Sequence, residues 1–147
     1  MKAGPYLAAA LFCDRLLEEK NGVLSAIRIA DTYTVKTTGL PPNTIPSVAT
    51  TLLLSFRAGE ARGIFHVNVA GRFPSGRELQ PRSMAGEQSP PAFTITFNDG
   101  ANPTANLILN LSIPAIEFGW YSFDVLMEGE IVARASVRVL PAPPGNP

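Results

Sequence analysis

The chain contains one histidine, His66, and one cysteine, Cys13. Together they are its only candidates for a thiol nucleophile with an imidazole base, which needs the two side chains within hydrogen-bond reach. His66 lies on the outward phase of an alternating pattern, whereas Cys13 lies on the inward phase beside Leu11. We therefore expect His66 at the surface and Cys13 buried as a small hydrophobic residue, with no zinc or catalytic site built from either.

Carboxylates are the next candidates, as a general acid and base or as calcium ligands. The glutamates in or beside predicted loops are Glu60, Glu78, Glu87, Glu117, Glu128 and Glu130. No pattern sets two of them against one cleft, which glycoside hydrolysis would require. Calcium needs several carboxylates, and the loop around Asp99 supplies one, so we expect an ordinary Asx turn there. The sequence predicts that the protein is not an enzyme and uses no metal or cofactor.

Five arginines, Arg57, Arg62, Arg72, Arg77 and Arg82, concentrate in and around two predicted loops. If both loops lay at one end of the domain, they would suit an anion or an acidic partner, although scattered solubilising charge is the simpler interpretation. The formal net charge is +0 at pH 7. A balanced charge favours neither nucleic acid nor an anionic membrane, so we expect neither as a partner.

The length of 147 residues is that of one domain. We predict a single domain over residues 1–140 and a flexible, proline-rich tail over residues 141–147. One cysteine cannot form an intrachain disulfide, and the apolar run from Tyr6 to Cys13 is too short for a signal peptide. No segment reaches the roughly 20 apolar residues that cross a bilayer, so we expect a soluble, cytoplasmic protein.

The elements that would position any site are β-strands, and the clearest pattern runs from Pro114 to Val139. Two rows alternate on either side of Glu128-Gly129, which predicts a hairpin with one face in a core. The predicted inward residues are Tyr121, Phe123, Val125, Met127, Ile131, Ala133, Ala135, Val137 and Val139. The predicted outward residues are Trp120, Ser122, Asp124, Arg134 and Arg138. Asp124 and Arg134 are expected to be diagonal neighbours.

Parity selects the turn of this hairpin, because directly opposed residues of an antiparallel pair point to the same face. A two-residue turn at Glu128-Gly129 would set Val125 against Val132 and turn one apolar row toward water. A three-residue loop with Gly129 in a G1 bulge would instead pair Val125 with Ile131. We therefore predict the three-residue loop.

Residues 6–20 are ambiguous, because alanine, leucine and glutamate favour a helix. The Asn21-Gly22 dipeptide and the β-branched residues that follow it favour a hairpin instead. We predict two strands joined by a three-residue bulged turn, which places Asp14 opposite Arg28. The apolar residues predicted for the inner face of this hairpin are Leu11, Cys13, Leu17, Val23, Ile27 and Ile29.

Four more strands are predicted at residues 48–57, 64–73, 93–97 and 106–111, the last two as another hairpin. A long irregular stretch covers residues 74–92. The count is about eight strands, with no internal repeat and no long helix. The predicted fold class is therefore all-β, as a two-sheet antiparallel β-sandwich.

Several stretches give the chain a family resemblance. They are Leu11-Phe12-Cys13-Asp14-Arg15, Asn21-Gly22-Val23-Leu24-Ser25, Ser75-Gly76-Arg77-Glu78-Leu79, Glu117-Phe118-Gly119-Trp120-Tyr121-Ser122-Phe123-Asp124-Val125 and Glu128-Gly129. Over nearly its whole length the chain resembles a bacterial family of uncharacterised single-domain proteins. The resemblance implies a β-sandwich and no activity that these residues could inherit.

A looser resemblance concerns the pattern Gly119-x-Tyr121-x-Phe123-x-Val125. It is similar to the penultimate strand of immunoglobulin-like sandwiches, where a tyrosine bonds back to the preceding connection. The predicted sandwich of about eight strands is therefore immunoglobulin-like or C2-like.

The outer face of the last hairpin is the predicted interaction surface. Its members are Trp120, Val132, Arg134, Asp124 and Arg138. An exposed aromatic side chain on a sheet face suits a protein interface and sugar stacking alike. We predict a non-enzymatic protein-interaction or accessory domain that binds a protein partner or itself. The alternative is a small-ligand or carbohydrate-binding module.

Overall fold

Two β-sheets form the part of the chain that the computed structural model describes, residues 4–79, 82–83, 92–99 and 103–143. The strands are β1 Tyr6–Glu18, β2 Leu24–Ile29, β3 Thr32–Val35, β4 Ser47–Arg57, β5 Gly63–Arg72, β6 Glu78–Leu79, β7 Arg82–Ser83, β8 Ala92–Phe97, β9 Thr104–Pro114, β10 Gly119–Met127 and β11 Glu130–Pro141. Sheet A has the order β2-β1-β4-β9-β7, and sheet B has the order β3-β11-β10-β5-β6, with β8 also paired to β5. Within these residues, no helix is long and apolar enough to span a membrane.

The predicted all-β sandwich is confirmed, and all eight predicted strands are present. The additional strands are short: the second predicted strand divides into β2 and β3, while β6 and β7 have 2 residues each within the stretch 74–92. The chain crosses from sheet A to sheet B at Ala30-Asp31, so β3 runs parallel to β11. β11 includes Pro141, the first residue of the predicted tail, and residues 144–147 lie outside the described part.

The predicted hairpin of residues 93–97 and 106–111 is wrong. β8 pairs with β5 in sheet B, whereas β9 pairs with β4 along its length in sheet A. The connection between β8 and β9 therefore crosses from one sheet to the other. In β8 and β9, alternation identifies the core-facing side of each strand, but it does not identify the neighbour with which the strand pairs.

The last hairpin forms, but with a different turn. Glu128 and Gly129 make a two-residue turn with φ values of 50° and 80°, and Met127 pairs with Glu130 across it. Two consecutive positive φ values are those of a type I′ turn, which matches the twist of the flanking strands. The three-residue loop predicted for this position is therefore wrong.

A bulge supplies the extra residue that parity requires. Val125 pairs with Ala133, and the next residue of β10, Leu126, pairs with Ile131, so Val132 is the bulged residue. The predicted pair of Val125 with Ile131 is wrong, and Ile131 beside the turn is exposed. The extra residue lies inside the strand rather than in the turn, yet it keeps the remaining apolar row on the core side.

The N-terminal segment is a strand and not a helix. The Glu19 amide donates to the Val23 carbonyl at 2.8 Å, and the Gly22 amide donates to the Glu19 carbonyl at 3.0 Å, which closes the predicted three-residue turn. Arg28 Nε lies 3.0 Å from Asp14 Oδ2. The predicted register of this hairpin is confirmed.

The face of this hairpin that was predicted to be inward points away from the core between the sheets, although Cys13 on that face is fully buried. Phe12 is 4% exposed and its ring centroid lies 5.5 Å from that of Phe123 on sheet B, whereas Leu17 is 45% exposed and Ile29 is 66% exposed. β1 carries apolar residues on both phases, so alternation alone did not decide between them. The large ring of Phe12 fills the space between the sheets, and the row of Leu11, Leu17 and Ile29 faces outward.

The core lies between the two sheets, and β10 runs through the middle of sheet B. Tyr121, Phe123 and Val125 on β10 are fully buried, and burying side chains of this kind contributes about 1.5–3 kcal/mol each. β11 and β5 flank β10 on either side. The outward residues of β10 therefore lie on a strand that is held by β11 on one side, by β5 on the other and by the core beneath it.

Candidate functional site

The connection between β9 and β10 sets the position of Trp120 near the start of β10. The Tyr121 hydroxyl is a donor that lies 2.9 Å from the Pro114 carbonyl oxygen and 2.7 Å from the Glu117 carbonyl oxygen. The Glu117 amide donates to the hydroxyl oxygen at 3.3 Å. Burial raises the pKa of Tyr121 above its ordinary value, which further favours the protonated hydroxyl. This is a tyrosine corner, and the bond predicted from Tyr121 back to the preceding connection is confirmed.

A second tie joins the same connection to the turn after β5. The Glu117 carboxylate accepts from the Ser75 amide at 2.9 Å, from the Ser75 hydroxyl at 3.0 Å and from Arg77 Nη2 at 3.1 Å. Desolvation raises the pKa of Glu117, but the bonds from Ser75 and the charge of Arg77 outweigh it and lower the pKa below its ordinary value. Gly119 has a φ of 130°, and a Cβ there would lie 3.2 Å from Pro74 Cβ. The start of β10 is therefore closely held.

Trp120 is 50% exposed on the outer face of sheet B. It lies directly opposite Arg138 on β11, and the guanidinium carbon of Arg138 is 5.5 Å from the centroid of the Trp120 ring. That distance is within the range of a cation–π interaction. The site thus presents a flat aromatic surface next to a positive charge.

Asp124 and Arg134 are directly opposed, so the predicted diagonal arrangement is wrong. Arg134 Nε donates to Asp124 Oδ1 at 2.6 Å, and Arg134 Nη2 donates to Oδ2 at 3.2 Å. These bonds and the charge of Asp124 raise the pKa of Arg134. Asp124 is only 6% exposed although it is on the outward phase. The carboxylate is therefore already committed, and Arg134 is the accessible member of the pair.

Val132 is exposed at the bulge of β11. About six residues separate it from Arg138, which corresponds to about 20 Å along a strand. We call the set Trp120, Asp124, Val132, Arg134 and Arg138 the outer strip. The structure brings Trp120 together with Arg138 and Asp124 together with Arg134. Val132, at the bulge, lies apart from them and lines a hollow with Phe65 and Met127, which pack against the core.

Two exposed apolar residues next to the outer strip were missed from the sequence. Ile116 and Phe118 precede Trp120 at every second position, and each is about half exposed. Both belong to the connection before β10 and not to the strand, which is why strand reasoning did not include them. The pattern that could have revealed them is the alternation of three large apolar side chains at positions 116, 118 and 120.

Sheet A also has an apolar row on its outer face. Leu11, Leu53 and Ile108 lie side by side across β1, β4 and β9, and Ile108 is exposed. In the adjacent row the Thr51 hydroxyl donates to Asn110 Oδ1 at 3.0 Å. Sequence reasoning missed this row because it assigned Leu11 to the core.

The residues considered for catalysis are far from forming one site. His66 is exposed on β5 of sheet B, as predicted, and its backbone amide donates to Glu128 Oε1 at 2.6 Å. Cys13 is fully buried in sheet A, as predicted, and burial raises the pKa of its thiol. Asp99 Oδ1 accepts from Arg62 Nε at 2.9 Å. In the described ranges, no three side chains of His, Cys, Asp or Glu are grouped as metal ligands.

The arginine-bearing loops do not share one end of the sandwich. Arg57 and Arg62 border the connection between β4 and β5, whereas Arg72 and Arg77 border the turn at the far end of β5. The 10 residues of β5 separate the two groups. The side chain of Arg82 lies outside the described part. The predicted alternative of a single arginine cluster is therefore wrong.

The two-sheet topology and the tyrosine corner define an immunoglobulin-like β-sandwich domain. A family model described as a family of unknown function (DUF6941) matches residues 8–140. The chain belongs to this family, which confirms the resemblance to an uncharacterised domain family. No protein with a curated description matches the chain.

The chain is similar to two solved structures. One is an immunoglobulin-like protein from Pseudomonas aeruginosa, with 13% identity and a TM-score of 0.45 over 93% of this chain and 97% of that one. The other is a glycosyl hydrolase family 2 member from Bacteroides cellulosilyticus DSM 14838, with 9% identity and a TM-score of 0.43 over 79% of this chain. This chain spans 17% of the length of that hydrolase.

Proposed function

We propose that the protein is a non-enzymatic interaction domain that binds a partner protein through the outer strip together with Ile116 and Phe118. The observation that carries this proposal is Trp120, a half-exposed indole at the start of a strand that the tyrosine corner holds in place. Tryptophan and arginine are enriched among the residues that dominate binding energy at protein interfaces. Trp120 and Arg138 provide such a pair in direct contact.

The charges of the outer strip indicate the chemistry of the partner. Arg134 is committed to Asp124, whereas Arg138 contacts the indole ring and forms no ion pair within the described residues. The surface therefore combines exposed apolar groups with one uncommitted positive charge. This favours a partner that buries an apolar side chain against Trp120 and brings a carboxylate to Arg138.

A carbohydrate ligand is the second candidate, and one observation favours it. Ser122 and Ser136 are directly opposed in the row beside Trp120 and Arg138 on the same face. Sugar-binding sites commonly combine an aromatic stacking surface with nearby hydroxyl and charged groups. Because Trp120 is the only tryptophan, a shift in its fluorescence on adding oligosaccharides would favour this candidate over a protein partner.

The test compares two tagged variants in capture experiments from the lysate of the source cell. We expect Trp120→Ala to reduce capture of the partner about 10-fold or more, since a central tryptophan in an interface contributes at least that much. The control is Ile64→Ala, because Ile64 is 63% exposed on β5 of the same sheet but lies outside the surface. Absence of capture by the wild type, or equal capture by Trp120→Ala, would contradict the proposal.

A further inference from the structure

An open cleft lies along one side of the sandwich, where an edge of each sheet ends early. β2 pairs with β1 over Cys13–Glu18, and β3 pairs with β11 over Arg138–Pro141. Within the described residues, no strand continues either ladder beside residues 8–12 of β1 or residues 132–136 of β11. The crossing of the chain at Ala30-Asp31, between β2 and β3, borders one end of the cleft.

The backbone of β11 directs hydrogen-bonding groups into this cleft. The Arg138 amide donates to the Asp31 carbonyl at 2.7 Å, which shows that this residue directs its backbone groups toward β3. Backbone groups alternate in direction along a strand. The amides and carbonyls of Ser136 and Arg134 therefore point in the same direction, into the space beyond the N-terminal end of β3. These backbone groups continue the hydrogen-bonding edge of β11 past β3, but no strand among the described residues pairs with them.

The facing wall belongs to β1 and is mostly apolar. The Phe12 carbonyl accepts from the Ala30 amide at 3.1 Å, so the alternate residue Ala10 also directs its backbone groups toward the cleft. The cleft has a volume of about 530 Å³, and Ala10, Phe12 and Ala135 contribute its apolar lining. Ala10 and Ala135 place small side chains on the two walls.

Charge at the cleft selects the occupant. Arg134 is paired with Asp124, whereas the Asp31 carboxylate accepts only from the Thr32 hydroxyl, at 3.2 Å, among the described residues. The uncommitted charge is therefore negative and favours a lysine or arginine on the occupant. A second copy that paired its own residues 132–136 with this edge would supply no free cation, because Arg134 is already paired.

We propose that this cleft is a strand-addition site, in which an extended segment of a partner protein pairs with β11 in line with β3. Backbone hydrogen bonds to Arg134 and Ser136 provide affinity, and a small apolar side chain enters between Ala10 and Ala135. A lysine or arginine of the segment lies at Asp31. Recognition through an exposed sheet edge is a recurring mode of peptide binding. The inference goes beyond the proposed function, because it uses the edge of β11 and not the outer strip.

The test uses the whole protein and, as its probe, a displayed library of random peptides of about 12 residues. Peptides selected on the wild type are expected to alternate apolar residues with a lysine or arginine. Ser136→Pro removes one edge amide, a change that an edge position tolerates, and is expected to weaken the selected peptides about 10-fold or more. Asp31→Asn is expected to weaken them severalfold and to remove most of the salt dependence. Trp120→Ala is the matched control and is expected to leave their binding within about twofold.

Several results would overturn this inference. Three of them are a failure to select any peptide, equal binding of the selected peptides to Ser136→Pro, and a wild-type dimer in sedimentation that Ser136→Pro converts to a monomer. Hydrogen exchange on the wild type keeps the test decisive if that variant does not fold, because a bound peptide must slow exchange of the Arg134 and Ser136 amides. Loss of binding in Trp120→Ala alone would assign the peptides to the outer strip and would leave this edge without a ligand.

Discussion

The hydroxyl of Tyr121 links the core to the connection that carries Ile116 and Phe118. Its removal leaves the Pro114 and Glu117 carbonyls without this donor, and an unsatisfied group in a buried position costs about 1–3 kcal/mol. We predict that Tyr121→Phe lowers the free energy of unfolding in urea by about that amount. We also predict a shift in the Trp120 emission of the folded protein, because the loosened connection adjoins that residue.

Tyr33→Phe is the matched control for this prediction. The Tyr33 hydroxyl lies 2.9 Å from Thr50 Oγ1 in a buried hydrogen bond, and its side chain is on the core face of sheet B, whereas Trp120 is on the outer face. We expect a comparable loss of stability and an unchanged Trp120 emission. Equal emission spectra for Tyr121→Phe and the wild type would contradict the role given to the tyrosine corner.

At the scale of elements, Glu117 joins the turn after β5 to the connection between β9 and β10. Its pKa is lowered in the folded protein relative to the ordinary value of 4.5. The stabilisation from this carboxylate is therefore fully present above about pH 4.5 and is lost as the pH falls through the lower folded-state value. We predict that Glu117→Gln is less stable than the wild type at neutral pH, and that the difference shrinks as the pH is lowered below 4.5.

The measurement is urea unfolding of both proteins over a pH series from neutral to strongly acidic. Glu78→Gln is a suitable control, because Glu78 is an exposed carboxylate close to the same turn. Its stability profile is expected to fall with acid as the wild-type profile does. A difference between Glu117→Gln and the wild type that stays constant across the series would show that the carboxylate charge is not what joins the two loops.

Strands were predictable from alternation, but their partners were predictable only where the turn is local. The hairpin of β1 and β2 follows from Asn21-Gly22 at its turn, and its register was correct. β8 and β9 alternate equally well but pair in different sheets, because the path of the connection between them is not encoded in either strand. In the last hairpin, parity required one extra residue, and only packing decided that it lies at Val132.

At the scale of the whole molecule, the outer strip was predictable and the cleft was not. The phase of β10 is set by Tyr121 and its buried neighbours, so it placed Trp120 on the outside. The cleft exists because β2 pairs with β1 only from Cys13 onward and β3 pairs with β11 only from Arg138 onward, which leaves the preceding residues of both strands at a free edge. No residue pattern marks the point where a ladder ends, since the crossing at Ala30-Asp31 is dictated by how the two sheets pack together.

The way the two sheets face each other also yields a test of which side of β1 is in the core. Phe12→Ala removes a ring that packs on Phe123 across the interior, and a buried phenylalanine-to-alanine change costs about 3–5 kcal/mol. Leu17→Ala alters the opposite phase of the same strand, where the side chain is 45% exposed, and is expected to cost less than about 1 kcal/mol. Urea unfolding of both variants gives the two free energies with one comparison. If Leu17→Ala proved as costly as Phe12→Ala, the row of Leu11 and Leu17 would be buried, either by the opposite sheet or by a bound partner. Repeating the unfolding at lower protein concentration would separate these two causes, because only burial by a partner depends on concentration.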